Sequence, residues 1–323
     1  MKYGINYNCH NLGNAHDMNL STDYTSQKLT LKPDYEGEVI AVLTASNFNA
    51  GNRKSILYIH GYIDYFFHPH LGEFFNTNQI DFYALDLRKY GRALLPHQHP
   101  NYCKNIEEYF EELSLAILQI KNKSNAVYLL AHSTGGLTAS CYMNSGKERH
   151  HVNGLILNSP FFDFNQTSLE KYISQFVAKM ASKISSYAKI NGVLTPAYAQ
   201  SIHKDYFGEW DFNLDWKPIK GFPTYFKWVL AIAQAQQSLK HSNIQVPVLV
   251  MHSSGSIKTS KFSKQALSND IVLNIEDIKR IGKTLGHHVT LLEIEHAQHD
   301  IFLSAKPVRE HALNKMMTWL ANN

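Results

Sequence analysis

The sequence predicts an α/β domain in which a mostly parallel central sheet is flanked by helices. Seven short runs of strand length alternate with longer stretches in which apolar residues recur at helical spacing. Most of the short runs are continuously apolar, as expected for strands that are buried on both faces of a parallel sheet. Strands that alternate with helices indicate βαβ units, from which such a sheet is built.

The predicted elements follow one another along most of the chain. Helices are predicted at Ile106–Lys121, which places its large apolar residues near one face, at Leu137–Met143 and at Ile275–Leu285. The predicted strands are Glu38–Ala45, Ser55–His60, Asp81–Leu85, Ala126–Ala131, Gly154–Asn158, Val246–His252 and His288–Ile294.

A long segment, residues 160–243, breaks this alternation, and we expect no strand in it. Apolar residues from Leu169 to Tyr187 recur at helical spacing and predict an amphipathic helix. Further helices are predicted at Thr195–Tyr206 and Thr224–Lys240. Open α/β sheets bind ligands at the carboxyl ends of their strands. We therefore expect a helical cap over that edge, with the apolar stripe of the first helix buried against it. The predicted domains are a core of residues 1–159 and 244–323 and a cap of residues 160–243.

Composition and charge exclude several classes of protein. The chain has 323 residues, of which 44% are hydrophobic and 18% charged, so a large core is expected. The formal net charge of +4 is not clustered, which argues against a nucleic-acid partner. No apolar run approaches the ~18 residues that a membrane span needs, so no stable membrane insertion is expected.

The cysteines and the N-terminus predict a cytoplasmic protein. Cys9, Cys103 and Cys141 are odd in number, far apart and without CxxC spacing, so we expect free thiols and neither a disulfide frame nor a zinc site. Met1–Leu20 is polar where a secretory signal needs an apolar run.

The run AHSTGG at residues 131–136 is the strongest local signal of chemistry. It follows a predicted strand and begins a predicted helix. A sharp turn in that context exposes the Ser133 hydroxyl as a nucleophile, and small neighbouring residues relieve the crowding of the backbone. The alternative is that Ser133 is only the N-cap of the helix, a position that Ser favours.

The run IHGY at residues 59–62 ends an earlier strand. In a fold with a nucleophile turn of this kind, such a segment supplies one backbone N–H to an oxyanion hole and the residue after the nucleophile supplies the other. The predicted donors are the amides of Tyr62 and Thr134. The alternative for the His-Gly pair is a simple tight turn after a strand.

A Ser hydroxyl needs a base to take its proton, and that base is expected after the last strand. His296 and His299 both lie there, whereas His287 and His288 lie at the far end of that strand.

The imidazole in turn needs a carboxylate to fix its tautomer. In folds with a nucleophile turn of this kind, the three residues follow one another along the chain as Ser, acid and His. This order leaves three acids as candidates. Asp270 lies in a polar loop, whereas Glu276 and Asp277 belong to the first turn of a predicted helix, where carboxylates often only complement the helix dipole. We therefore favour Asp270.

Taken together, these residues resemble the α/β-hydrolase superfamily. More narrowly, they resemble its capped lysophospholipase and monoacylglycerol-lipase-like branch, which is also grouped as serine aminopeptidase-like. Three departures are Ala131 in place of Gly, Ala93 in place of Ser, and the lack of the usual Gly-x-x-Asp before Asp270. The matching segments, in the order that the family shows, are Tyr58–Tyr62, Leu85–Arg92, Ala131–Gly136, Asp270–Val272 and Ala297–Asp300.

The resemblance implies an α/β-hydrolase fold with a cap inserted after the sixth core strand. It implies a catalytic triad of Ser133, Asp270 and His299, an oxyanion hole formed by Tyr62 and Thr134, and neither a cofactor nor a metal. It also favours His299 over His296, because the family's base turn reads A-x-H-D.

The implied activity is hydrolysis of small acyl esters such as monoacylglycerol or lysophospholipid. Aromatic residues that can line an acyl pocket are Tyr65, Phe66, Phe67, Phe161, Phe162 and Phe164. A non-catalytic ligand-binding member of the fold is a further alternative, and the oligomeric state is left open. The alternative of an aminopeptidase requires a cap carboxylate to hold the substrate amine, for which the candidates are Glu170, Asp205, Glu209, Asp211 and Asp215.

Overall fold

The structure is a computed structural model, and it describes residues 23–191 and 195–323. Cys9 and Met1–Leu20, on which two of the predictions depend, lie outside these residues. The strands are β1 (Tyr24–Thr30), β2 (Ile40–Ser46), β3 (Lys54–Ile59), β4 (Asp81–Asp86), β5 (Ala126–His132), β6 (Val152–Asn158), β7 (Lys189–Ile190), β8 (Thr224–Tyr225), β9 (Val248–Ser253) and β10 (Val289–Ile294).

Eight of these strands form one sheet in the order β1-β2-β4-β3-β5-β6-β9-β10. Strand β2 is antiparallel to both of its neighbours, and the pairs from β4 to β10 are parallel. The carboxyl ends of the parallel strands therefore meet along one edge, which is where the site described below is built.

Helices cover both faces of the sheet. Alternate side chains of each central strand enter different cores: Leu57 lies in one with the helices that begin at Phe110, Thr134 and Ile275, and Tyr58 lies in the other with the helices that begin at His70 and Lys306. The fold class predicted from the sequence is confirmed. The helices are α1 (His70–Thr77), α2 (Phe110–Lys121), α3 (Thr134–Ser145), α4 (Ser168–Ile184), α5 (Ala197–Ile202), α6 (Phe226–Ser238), α7 (Ile275–Gly282) and α8 (Lys306–Asn322).

The seven predicted strands all appear in the sheet, and none of their ends differs from the prediction by more than two residues. Strand β1 was not predicted. It is an edge strand of sequence YTSQKLT in which only Leu29 is buried, so it carries no apolar run that a sequence pattern could reveal.

The segment that interrupts the alternation, residues 160–243, is hereafter called the insertion. Its helices are α4, α5 and α6. The expectation that it contains no strand is wrong, because β7 and β8 pair in an antiparallel two-residue ladder. The helix predicted at Thr195–Tyr206 is shorter than expected, since α5 spans only Ala197–Ile202.

The expectation that the apolar stripe of α4 is buried is also wrong. Helix α4 is buried at its small residues Ala178 and Ser182, and it packs on α6. Small residues let two helix backbones approach closely, so the large side chains are turned outward and Ile184 is 89% exposed. The large residues left exposed are Leu169, Tyr172, Ile173, Phe176, Val177, Met180 and Ile184.

Two further observations concern the cysteines and the lengths of the helices. Cys103 and Cys141 are free and buried. Across residues 23–191 and 195–323, every helix falls short of the length and apolar character that a bilayer span requires.

Candidate active site

Ser133 lies at a strained turn between β5 and α3. Its backbone has φ 51° and ψ −117°, a positive-φ conformation that is rare for a residue with a side chain. Such strain persists only where the surrounding structure enforces it, and it is typical of functional sites. The Ser133 side chain makes no cap hydrogen bond to the helix, which speaks against the simple N-cap alternative.

Close packing behind the turn explains the glycine at position 135. A Cβ atom there would lie 2.3 Å from the carbonyl oxygen of His60, which is far inside a contact distance. The helix can begin directly against the end of β3 only because position 135 has no side chain. Ala131, which stands where the related family has Gly, is fully buried in β5.

His299, and not His296, is brought to the nucleophile. Its Nε2 atom lies 3.0 Å from Ser133 Oγ, and its ring is buried. His296 is exposed to solvent and has a positive φ of 58°. Its backbone amide donates to Ser254 Oγ at 3.3 Å.

Asp270 completes the row of three side chains. Its Oδ2 atom lies 2.8 Å from His299 Nδ1, and its Oδ1 atom accepts from the amides of Val272 and Leu273, each at 2.8 Å. These two backbone donors fix the carboxylate while the other oxygen orients the imidazole. The two competing acids lie elsewhere, because Glu276 and Asp277 form ion pairs within the first turns of α7.

The turn that carries His299 is fastened to the end of β6 by a buried network. Asn158 Nδ2 donates to Asp300 Oδ1 at 2.7 Å, and Asn158 Oδ1 accepts from the Ile301 amide at 3.2 Å. The His132 ring packs against His299, with 4.8 Å between the ring centroids. Burial lowers the pKa of His132 to about 4, so this neighbour is neutral at neutral pH and does not repel an imidazolium on His299.

The predicted oxyanion donors lie on the two turns that meet at Ser133. Tyr62 and Thr134 both line the cavity beside Ser133, and Thr134 is the first residue of α3. A Cβ atom at Gly61 would lie 3.1 Å from Ser133 Cβ, so the turn at residues 61–64 approaches the nucleophile closely.

His60 ties this turn to the neighbouring strand. The Leu87 amide donates to His60 Nε2 at 3.0 Å, which leaves Nδ1 protonated to donate to the Gly61 carbonyl at 2.8 Å. Asp86, at the end of β4, accepts from the Phe66 amide at 3.2 Å and from Arg92 Nη1 at 2.7 Å. His60 and Asp86 thus hold this turn and its neighbours in place, and neither side chain is among the described residues of the cavity wall.

Lys217 and Asp64 form a buried ion pair that could not be predicted from the sequence. Lys217 belongs to the insertion, and its Nζ atom lies 2.6 Å from Asp64 Oδ1. Burial acts to raise the pKa of Asp64, but the Lys217 ammonium and the nearby His132 and His60 rings together outweigh that effect and lower the pKa to about 2. The two residues are 153 positions apart in the chain, and neither belongs to a motif that could have revealed the pair.

Two groups of side chains among the described residues have the spacing of metal ligands. Glu148, His150 and His151 form one at the surface. Asp64, His132 and Asp300 form the other, which is buried. The Lys217 ammonium already pairs with Asp64, so one of the two carboxylates of the buried group is not free to bind a divalent ion.

Ser133 opens onto a cavity of about 520 Å³ between the core and the insertion. Ser133, His299 and Asp64 are on the core side, and the opposite wall comes from the insertion. Of the six aromatic residues expected to line an acyl pocket, Phe161 and Phe164 do so, whereas the other four are packed elsewhere. Most of the remaining wall is apolar and includes Val177, Ile190, Ile219, Trp228, Val229, Ile271 and Val272.

Comparisons with known proteins agree with this fold. Residues 50–305 match the profile of a family described as Hydrolase_4, serine aminopeptidase, S33. A protein of Schizosaccharomyces pombe that is named as a candidate monoglyceride lipase is 24% identical over 131 residues, which are 40% of this chain and 35% of that relative.

Solved structures with the same fold cover nearly the whole chain. A soluble variant of monoglyceride lipase from Saccharomyces cerevisiae, in complex with a substrate analogue, has a TM-score of 0.67 at 17% identity and covers 92% of this chain and 96% of its own. A monoacylglycerol lipase from Paleococcus ferrophilus has a TM-score of 0.62 at 18% identity, with coverage of 84% and 95%. The predicted α/β-hydrolase fold is confirmed, and the chain belongs to the serine aminopeptidase S33 family of α/β-hydrolases.

Proposed function

We propose that this protein is a serine carboxylic ester hydrolase that acts on acyl esters such as monoacylglycerol or lysophospholipid. One observation carries the proposal: His299 bridges Ser133 and Asp270, at 3.0 Å and 2.8 Å, at the base of a largely apolar cavity. Activation of a hydroxyl by an oriented imidazole is the arrangement that acyl transfer to Ser requires.

In the proposed first step, Ser133 Oγ attacks the ester carbonyl carbon while His299 Nε2 takes the hydroxyl proton. The carbonyl π electrons move to the oxygen, and the amides of Tyr62 and Thr134 stabilise the resulting oxyanion. When the tetrahedral intermediate collapses, the bond to the leaving alcohol breaks and His299 donates its proton to that alcohol. An acyl-enzyme on Ser133 remains.

In the second step, a water molecule attacks the acyl carbon and gives its proton to His299. Collapse of this second intermediate releases the carboxylic acid and returns the proton to Ser133 Oγ. Asp270 stays ionised throughout, because its part is to hold the tautomer of His299 and to stabilise the imidazolium.

The cavity wall supports an acyl substrate. Apolar and aromatic side chains dominate it, and its volume of about 520 Å³ is in the range of small-molecule sites. Seventeen of the lining residues, from Phe161 to Val229, belong to the insertion. We therefore propose that residues 160–243 act as a cap that shields the acyl chain from water.

The cavity favours an esterase over an aminopeptidase. An aminopeptidase needs a free carboxylate to hold the substrate amine, and Asp64 is the one acid among the described residues that line the cavity. Lys217 already neutralises it. The five acids of the insertion named as candidates for this role are absent from the described cavity wall. Glu170 instead completes the capping box at the start of α4 by accepting from the Thr167 amide, and Asp211 pairs with Lys204.

A panel of substrates tests the proposal. The purified protein is assayed on p-nitrophenyl esters of increasing chain length and on aminoacyl p-nitroanilides, with Ser133→Ala in parallel. We expect turnover of the esters only, and a loss in kcat on the order of 10⁶ for Ser133→Ala. If the anilides were hydrolysed faster than the esters, the activity would be that of a peptidase. If Ser133→Ala kept more than about a tenth of the ester activity, Ser133 would not be the nucleophile.

A further inference from the structure

The pair formed by Lys217 and Asp64 joins the insertion to the turn that carries a proposed oxyanion donor. Lys217 Nζ lies 2.6 Å from Asp64 Oδ1 and 3.4 Å from the carbonyl oxygen of Ile63. Both side chains are buried. One ammonium from the insertion therefore contacts two consecutive residues of the turn at 61–64.

The same turn is closed internally by the other carboxylate oxygen. Asp64 Oδ2 accepts from the Gly61 amide at 3.4 Å. Tyr62, whose amide is the proposed donor, lies between these anchored points. The orientation of its N–H group thus depends on where the Asp64 carboxylate is held.

The turn also contains an unfavourable backbone conformation that must be enforced by its surroundings. Ile63 has φ 50°, which is a true outlier for a β-branched side chain. The carbonyl oxygen of this residue is the one that faces Lys217. A hydrogen bond to that oxygen favours the observed conformation over relaxed alternatives in which the carbonyl points elsewhere.

The surroundings of the ammonium make its position specific. The rings of Phe67, Tyr198 and Phe212 lie 5.5 to 5.9 Å from Lys217 Nζ. Charges separated by 2.6 Å in such an apolar setting attract each other more strongly than they would in water. Removing one partner leaves the other buried and uncompensated.

We propose that Lys217 is a positioning residue: through Asp64 it holds the turn at 61–64 so that the Tyr62 amide points at the substrate oxyanion. Since Lys217 belongs to the insertion, the oxyanion hole is complete only when the insertion occupies its observed place over the core. This inference rests on the proposed esterase function, because it assigns a task within that reaction.

The test compares Lys217→Met with Lys220→Met. Lys220 is in the same segment of the insertion but is exposed, so its substitution controls for loss of a positive charge. Active sites are counted by titration with a fluorophosphonate, so that kcat refers to folded, reactive enzyme. Binding of a boronic acid that forms a tetrahedral adduct with Ser133 is measured beside binding of the fatty-acid product.

An oxyanion donor acts mainly in the transition state. For Lys217→Met we therefore expect kcat per active site to fall by on the order of 10²-fold, with KM within about twofold of the wild-type value. Boronic acid affinity should fall by a similar factor, and fatty-acid affinity should be unchanged. Lys220→Met should match the wild type. Unchanged kcat per site would overturn the inference, and so would a raised KM with unchanged kcat, which would make Lys217 a substrate contact.

Asp64→Asn provides a second route if Lys217→Met does not fold. It keeps the shape of the side chain but removes the charge that Lys217 holds, and the same loss in kcat per site is expected. Normal kcat in this variant would also overturn the inference. The wild type and Ser133→Ala are run in the same assay: if these two do not differ, the proposed function fails, whereas a normal Lys217→Met enzyme beside an inactive Ser133→Ala refutes only the role of Lys217.

Discussion

His299 Nε2 lies 3.0 Å from Ser133 Oγ, whereas His296, three residues earlier on the same loop, is exposed to solvent. The two histidines therefore make a matched pair for a test of the base. We expect His299→Ala to lower kcat by several orders of magnitude, because the hydroxyl then has no proton acceptor. His296→Ala should stay within about twofold of the wild type. Steady-state kinetics on a p-nitrophenyl ester measure both, and the reverse ranking would show that the base has been misplaced.

Asp270 and Asp277 form a second matched pair. Asp270 is fully buried against His299, and Asp277 forms an ion pair with Arg280 on the surface of α7. Asp270→Asn should lower kcat by about 10⁴-fold, because the amide stabilises the wrong tautomer of His299. Asp277→Asn should leave kcat unchanged. Similar values for the two variants would mean that Asp270 does not orient the base.

Much of the fold could be predicted from the sequence because the central strands are buried on both faces. A continuous apolar run such as Ser55–His60 then predicts a strand even when its neighbours in the sheet are unknown. Strand β1 lies at the edge of the sheet, and its mostly polar sequence contains no continuous apolar run by which a strand could be predicted. The turn at Ser133 was predictable for a related reason. Its backbone passes so close to His60 that position 135 has no room for a side chain, and the glycine required there is visible in the sequence.

Orientation and long-range pairing could not be predicted in the same way. Periodicity shows that α4 is amphipathic, but the helix is buried at its small residues Ala178 and Ser182 and not on its large apolar face. The contact of Lys217 with Asp64 joins two loops that are 153 residues apart. A single lysine in a loop carries no signal of its partner.

The orientation of α4 can be tested by stability measurements. Ile184 is 89% exposed and Ala178 is fully buried. Ile184→Ser should change the free energy of unfolding by no more than about 0.5 kcal/mol, as is usual for surface substitutions. Ala178→Asp should cost more than about 2 kcal/mol, because it buries an unpaired charge. Urea titration followed by tryptophan fluorescence measures both. If Ile184→Ser were the more damaging change, the large apolar face of α4 would be the buried one.

Acid should weaken the fold through Asp64. Its pKa is lowered to about 2 in the folded chain, against about 3.9 in an unfolded chain. A carboxyl whose pKa is lower in the folded chain stabilises the fold at any pH above its pKa in the unfolded chain. This stabilisation is lost as the pH falls from the pKa of the unfolded chain towards that of the folded chain. Between about pH 5 and pH 3 the wild type should lose about 1 kcal/mol more unfolding free energy than Asp64→Asn, which cannot titrate. Parallel losses in urea titrations would contradict the ionic pairing of Asp64 with Lys217.

The apolar cavity predicts how activity depends on acyl-chain length. Each CH₂ group buried in the wall contributes ~0.8 kcal/mol, which corresponds to about a fourfold gain in kcat/KM per group until the cavity is full. The measurement is kcat/KM for a series of p-nitrophenyl esters from acetate upward. A preference for acetate over every longer ester would contradict an acyl-chain site and indicate an esterase for small acids.

A variant in the wall shows whether this cavity sets the limit. Val229 lines the cavity from the insertion, so Val229→Trp should fill part of it and shift the optimum to shorter chains. Leu169→Trp adds the same ring on the exposed face of α4 and should leave the optimum where it is. Hydrolysis of p-nitrophenyl acetate should change little in either variant, because its acetyl group does not reach far into the cavity. If Val229→Trp left the optimum unchanged while still folding, the acyl chain would have to bind outside this cavity, although Ser133 could remain the nucleophile.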